Sequence, residues 1–379
     1  MTFAFRIEAR SSACAARAGV FTTPHGEVPT PAFMPVGTRG TVKGVLPRDL
    51  AATGTRIVLA NTYHLHLRPG EETVARLGGL HRFMGWDGPL LTDSGGYQVF
   101  SLAHIARVDD EGVTLRSVVD GSPVRLTPEG VVDIQRKLGA DVAMAFDHCP
   151  SDPTDRAGVE SATARTRAWL ARCVRRHREH GGEDSGQALF GIVQGGVFED
   201  LRRASVESAL EHDLAGYAIG GVSVGEDREH MRAAVSASTP LLPEDRPRYL
   251  MGVGTPEDLF DAVERGCDLF DCVTPTRHGR THAAFTSRGT INLRNSGWRD
   301  DASPLDPECD CAACARFSRG VLRHLCASGE MLGAMLLSLH NLRFFHRLLE
   351  RMRAAIAEDR LTELRLEILA PMARRLTPA

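Results

Sequence analysis

Leu90-Leu91-Thr92-Asp93-Ser94-Gly95-Gly96-Tyr97 is an apolar run that ends on a carboxylate, and Leu269-Phe270-Asp271-Cys272 repeats the arrangement far downstream. A carboxylate at the tip of a buried strand adds little stability, because ionising it there costs desolvation energy. At the mouth of a barrel it faces a ligand instead. Two such groups, Asp93 and Asp271, suit a site that breaks a bond with one nucleophile and one acid/base.

Working outward, short apolar runs recur at 31–36, 56–61, 89–93, 141–147, 188–194, 217–220, 248–252 and 269–271. Near-continuous apolar runs of this length read as strands covered on both faces. Eight of them alternate with helical stretches, which predicts an α/β chain folded as a TIM-type (β/α)8 barrel, with a doubly wound open sheet as the competitor. The strand tips favour the barrel. Asn61, Asp93, Asp147, Gln194, Gly220-Gly221, Met251-Gly252 and Asp271 fall at or just past a C-terminal strand end. One polar strand end is ordinarily a turn residue. A whole set converges on one mouth in a barrel and spreads along a line in an open sheet.

The connectors carry helix punctuation. Thr127-Pro128-Glu129 opens a stretch closed by Gly139, and Thr255-Pro256-Glu257-Asp258 opens one closed by Gly266. In each, Thr caps, Pro fits the first helical position and early acids suit the dipole. The connector from Thr154 to about His180 places Arg165, Arg172, Arg175 and Arg176 on an expected solvated face. Gly112–Leu126 alternates around Asp120-Gly121, predicting a hairpin that edges the mouth.

Beyond strand eight the barrel rhythm stops, and Cys309-x-Cys311-x-x-Cys314 brings three soft ligands together. His340, His324 and Cys326 are the candidates for a fourth. A closed tetrahedral set is structural zinc chemistry. The expected organisation is therefore 1–276 as the barrel with N-terminal strands and hairpin, 277–340 as an inserted zinc-binding subdomain after strand eight, and 341–379 as C-terminal helices packing back.

The 379 residues are 42% apolar, ample for one large core, and the net charge of −3 excludes polyanion binding by bulk charge alone. Between Cys272 and Arg353, however, twelve arginines face seven acids. That local excess allows an anionic partner such as RNA as well as a plain solvated surface. No apolar run reaches the length of a membrane span, and Met1–Arg10 carries Arg6, Glu8 and Arg10 without a signal-type stretch. A cytoplasmic chain with no membrane partner is expected. In a reducing compartment the clustered cysteines point to metal rather than disulfides.

Several longer motifs carry a resemblance. Thr30-Pro31-Ala32-Phe33-Met34-Pro35-Val36-Gly37, Asn61-Thr62-Tyr63-His64-Leu65, Asp93-Ser94-Gly95-Gly96-Tyr97-Gln98, Gly191-Ile192-Val193-Gln194-Gly195-Gly196, Asp271-Cys272-Val273-Thr274-Pro275-Thr276-Arg277 and the cysteine cluster closely resemble bacterial tRNA-guanine transglycosylase, over about 5–349. That family exchanges guanine at the anticodon wobble position of tRNAs for Asp, Asn, His and Tyr for 7-aminomethyl-7-deazaguanine, a precursor of queuosine.

The resemblance implies a role for each matching residue. Asp271 would be the nucleophile on the ribose anomeric carbon, forming a covalent ribosyl-enzyme ester, and Asp93 the general acid/base. Asp147 would read the amide and amine edge of the purine, with Ser94, Gln194, Gly220 and the backbone of Gly221 adding hydrogen bonds. Tyr97 and Met251 would sandwich the ring. Val222 would receive the aminomethyl group through its carbonyl, supported by Glu226. Arg277 and Arg280 would hold phosphates of a turned-out RNA loop. His340 becomes the implied fourth zinc ligand, giving one structural zinc per chain. A homodimer is implied too.

Two departures stand out. Thr281-His282 puts an imidazole where the family commonly has glycine, and Val321 stands where a tyrosine typical of the dimer contact is found, while Phe317 and His324 remain. Two other readings compete. One is a retaining glycosidase, which three Trp and four Tyr equip poorly for sugar stacking. The other is a non-catalytic RNA-binding paralogue, disfavoured because both carboxylates are present.

Overall fold

Alternation along eight parallel strands sorts their side chains into two separate clusters. In the strand Ala188–Val193, for example, Ala188, Phe190 and Ile192 pack inside the barrel, while Leu189 and Val193 pack outward against helices. The computed structural model describes residues 3–96, 106–222, 227–373 and 376–377. Tyr97 and Glu226 therefore lie outside the described residues.

The chain begins with an antiparallel sheet, β1 (Ala4–Arg10), β2 (Arg17–Thr23) and β3 (Gly26–Thr30). Three barrel strands follow, β4 (Ala32–Pro35), β5 (Val58–Ala60) and β6 (Leu90–Thr92). A second antiparallel sheet interrupts them, β7 (Ala106–Asp109), β8 (Gly112–Arg116) and β9 (Pro123–Leu126). The barrel resumes with β10 (Val142–Met144), β11 (Ala188–Val193), β12 (Gly216–Ile219), β13 (Arg248–Leu250) and β14 (Leu269–Cys272). Strand order is β4-β14-β13-β12-β11-β10-β6-β5, and a parallel bridge from Val36 to Leu59 closes the ring. The expected TIM-type barrel is present, each strand within the stretch read for it or one residue beyond.

The N-terminal sheet plugs the bottom of the barrel. Phe3, Phe21 and Val28 join the inner cluster, with the Phe21 and Phe190 rings 5.7 Å apart. Below them Arg17 clamps buried Asp268 through two contacts of 3.0 and 2.6 Å.

The helix punctuation acts as the sequence predicts. Thr127 caps Pro128–Leu138, which ends on Gly139 at φ 76°, and Thr255 with Asp258 forms a capping box on Pro256–Val263. One expectation needs correction. Of the four arginines expected to be solvated on the helix Arg156–Glu179, only Arg175 is largely exposed; Arg165 binds Asp110, Arg172 binds Glu129 and Arg176 binds Asp133. These arginines tie the helix to the hairpin insertion and to its neighbouring helix, helped by a 2.7 Å bond from Trp169 Nε1 to the Asp110 carbonyl. The hairpin has a third strand, β7, that sequence alternation does not reveal.

After β14 come the helix Thr274–Arg280 and the hairpin β15 (Ala283–Thr286) and β16 (Gly289–Asn292). The short helices Ala312–Arg316 and Arg319–Ala327 follow, then one 27-residue helix, Met331–Ala357, crosses position 340 without a break. It packs against Thr274–Arg280 so closely that a Cβ on Gly279 would lie 2.5 Å from the Ser338 backbone nitrogen.

Candidate active site and metal centre

The parity that fills the barrel also aims its tips. Leu91 and Leu269 point inward, so Asp93 and Asp271, each two residues on, turn to the same side. Both line one cavity of about 280 Å³ at the C-terminal mouth. Ser94, Asp147, Gly220, Gly221, Val222, Met251 and Arg277 line it too. For Asp147 the parity slips: β10 ends at Met144, and Phe146 packs outward on Trp169 at 4.7 Å, which frees Asp147 to turn in.

The two carboxylates are held differently. Asp93 is buried, with Oδ1 accepting from the Thr62 amide at 2.7 Å and Oδ2 from Asn61 Nδ2 at 2.5 Å. Asp271 uses one oxygen only: Oδ1 accepts from the Tyr249 hydroxyl at 2.6 Å and the Gly252 amide at 2.8 Å. Its Oδ2 takes no hydrogen bond among the described residues. Burial pushes the Asp271 carboxyl above its ordinary value, opposed by those two donors. Tyr249 is itself pushed well above the usual phenol range, by burial first and then by the charge of Asp271, so it stays a donor.

Asp147 stands apart from this pair. Ser94 Oγ donates to its Oδ1 and Gln194 Nε2 to its Oδ2, both at 2.8 Å. Burial raises this carboxyl as well, against the pull of the same two donors. Gln194 thus supports Asp147 through Nε2, while its Oε1 has no hydrogen-bond partner among the described residues. His64 lines the mouth, held neutral by burial and by nearby Arg39 and Lys43.

Arg277 lies exposed on the cavity rim. Arg280 lies one turn further along the helix, away from the cavity, and its Nη1 is buried without a hydrogen-bond partner among the described residues. His282 adopts φ 66°, a left-handed backbone that glycine takes without strain, and its Nδ1 accepts from Arg294 Nε at 2.8 Å.

Sequence reading missed Tyr249 and the holding roles of Asn61 and Thr62. The signal for Tyr249 was available: it shares strand parity with Met251, and its hydroxyl is a polar group carried into the barrel interior.

The soft-ligand cluster is assembled as a closed set. The ligating atoms of Cys309, Cys311, Cys314 and His340 lie within 4.8 Å of one another, all in buried residues. His340 Nε2 bonds the Phe285 carbonyl at 2.7 Å, which fixes the tautomer and turns the Nδ1 lone pair to the sulfurs of Cys314 and Cys311, 3.3 and 3.6 Å away. This donor set fits a metal ion. His324 and Cys326 are not part of it. His25, His81 and Asp141 also meet, at the plugged end, but the two imidazoles stack face to face at 3.7 Å. Stacked rings cannot both direct in-plane lone pairs at one ion, so this group reads as a hydrogen-bonded clasp on Asp141.

The sequence model of the queuine tRNA-ribosyltransferase family matches residues 12–374. A relative of that name from Thermus thermophilus is 54% identical over 358 residues, covering 94% of this chain and 91% of its own. Others of the same name, from Synechococcus sp. (strain CC9311) and Herpetosiphon aurantiacus, are 55% and 53% identical over 361 and 345 residues. They cover 95% and 91% of this chain, and 96% and 87% of their own.

Proposed function

Because this chain belongs to the queuine tRNA-ribosyltransferase family, we propose that it is a tRNA-guanine transglycosylase, a pentosyltransferase that exchanges the wobble guanine of tRNA for 7-aminomethyl-7-deazaguanine in queuosine formation. Its substrates are the tRNAs for Asp, Asn, His and Tyr. One observation carries the reading: Asp93 and Asp271, from β6 and β14, share a single cavity at the open end of the barrel.

The chemistry follows from how each acid is held. Asp271 in its ionised form attacks the ribose anomeric carbon with Oδ2, the oxygen without a hydrogen bond, while Tyr249 and Gly252 steady the charge on Oδ1. The bond to guanine breaks, its electron pair goes to the base, and Asp93 supplies a proton to the departing purine. The incoming base then gives a proton to Asp93 and attacks the same carbon, displacing Asp271. Two inversions retain configuration.

Asp147 reads the amide and amine edge, pre-aimed by Ser94 and Gln194. Gly220 and Gly221 form the wall beside it, and Tyr97 with Met251 sandwiches the ring. The Val222 carbonyl and Glu226 receive the aminomethyl group. Arg277, exposed at the rim, suits phosphates of a turned-out loop, and Arg280 adds positive charge on the same helix. Cys309, Cys311, Cys314 and His340 would hold one structural zinc, which leaves no open position and takes no part in bond breaking. Exposed Met331 and Leu332, neighbours at the start of the helix Met331–Ala357, support a homodimer. No described helix is long and apolar enough to cross a membrane, and a cytoplasmic site of action fits a tRNA substrate.

The test is incubation with labelled guanine and unmodified tRNA. Base incorporation with an intact strand supports exchange. No incorporation, together with release of free sugar from an added oligosaccharide, would instead favour the glycosidase reading and end this one.

A further inference from the structure

One wall of the cavity, the Gly220-Gly221 turn, is gripped from behind by a side chain that meets no solvent. Arg202, on the helix Glu199–Leu210, is fully buried. Its Nε donates to the Gly196 carbonyl and its Nη1 to the Gly220 carbonyl, each at 2.9 Å. One planar guanidinium thereby joins the loops that follow β11 and β12.

This grip has a directional consequence. The Gly220–Gly221 peptide is trans, so its C=O and the following N–H point in opposite directions. With the carbonyl turned back to Arg202, the N–H of Gly221 is turned toward the cavity that Gly221 lines. The site has no room for another arrangement. Gly221 sits at φ 65°, and a Cβ there would lie 2.2 Å from Gln194 Oε1; one on Gly220 would lie 2.8 Å from Gln194 Nε2. A guanidinium on the far side of the peptide also polarises it and strengthens the N–H as a donor.

We propose that Arg202 is a positioning residue for base recognition: by holding the Gly220 carbonyl it aims the Gly221 N–H at the 6-oxo oxygen of the purine, beside the edge that Asp147 reads. This rests on the reading that the pocket takes a guanine-type base. As negative charge builds on the departing purine, its oxo group meets a donor that is fixed in place rather than one that must reorient.

The test compares two purines on the full-length enzyme. Guanine carries the 6-oxo group and 2-aminopurine lacks it. Calorimetric Kd values for both are measured with wild type, Arg202→Lys and Arg202→Met. Arg202→Met is expected to weaken guanine about tenfold, while 2-aminopurine stays within about twofold. Arg202→Lys, which keeps the charge and reaches one carbonyl, recovers part of the guanine affinity. Equal weakening of both purines, or of neither, overturns the assignment. Should the Met variant fail to fold, the Lys variant carries the same comparison: a loss confined to guanine supports the assignment and a shared loss refutes it. Wild type that binds no guanine removes the underlying reading as well, whereas guanine binding indifferent to Arg202 removes only this step.

Discussion

Replacing Tyr249 with Phe removes a single oxygen, the donor 2.6 Å from Asp271 Oδ1. The shape of the barrel interior is kept, since the ring remains in its cluster. A hydrogen bond to an ionised partner contributes about 1.5–3 kcal/mol, and about 1.4 kcal/mol corresponds to one pH unit. Burial already raises the Asp271 carboxyl, and the lost hydroxyl was working against that rise. The sign follows: the ionised form loses support, so the variant's carboxyl titrates higher still. Since the ionised form is the proposed nucleophile, the rate falls as pH drops through that pKa. The acid limb of kcat/KM against pH for guanine exchange should therefore move up by about one to two pH units. Stability moves consistently. Asp271 titrates above its unfolded value, so its burial penalty is absent at low pH and sets in as pH rises from the unfolded pKa toward the folded one. The Tyr249→Phe loss in thermal stability should accordingly be larger at pH 8 than at pH 5. An acid limb that stays in place would refute both the nucleophile assignment and the role of the hydroxyl.

Three further outcomes are expected. Asp271→Asn should bind tRNA yet show neither exchange nor a covalent adduct by mass spectrometry, and at neutral pH it should melt higher than wild type because a penalised buried charge is gone; normal turnover would remove Asp271 as nucleophile. Gly221→Ala puts a Cβ 2.2 Å from Gln194 Oε1, so Gln194 must leave Asp147, and KM for guanine should rise about tenfold with kcat less affected. Cys311→Ser should lose its metal by elemental analysis and lower the melting temperature, because three remaining donors no longer close the set.

What is legible in the sequence follows from what strand parity and turn chemistry can carry. Asp93 and Asp271 are readable because each ends an apolar run, and a run of fixed period states where its last residue points. Thr127, Thr255 and Gly139 are readable because caps act within one turn of their own helix. Gln194, expected as a contact to the base, also supports Asp147 through its Nε2. Both roles put an amide at the same strand tip, and only three-dimensional distance separates them. The arginines of Arg156–Glu179 read as solvated, since their partners Asp110, Glu129 and Asp133 lie on other elements. Arg202 leaves no local trace: the Gly196 and Gly220 carbonyls that it holds are backbone groups, which carry no sequence signature.

The cysteine–histidine cluster and the cavity mouth meet in a few neighbouring residues of one helix. His340 reaches back to the cysteines while its Nε2 holds the Phe285 carbonyl, and the adjacent Asn341 accepts from the Phe285 amide at 3.0 Å. The same Asn341 donates to the carbonyls of Pro275 at 2.9 Å and Ala283 at 3.0 Å. Pro275 opens the helix that carries Arg277 and Arg280, and Gly279 brings that helix against Ser338. The helix that follows β14 is thus fixed from the side of the cysteine–histidine cluster, whereas Asp93 and Asp147 are fixed from within the barrel by Asn61, Thr62, Ser94 and Gln194. Loosening the cysteine–histidine cluster would therefore act first on Arg277 at the rim and on the tail of β14. Asp147, held by independent bonds, would be affected last.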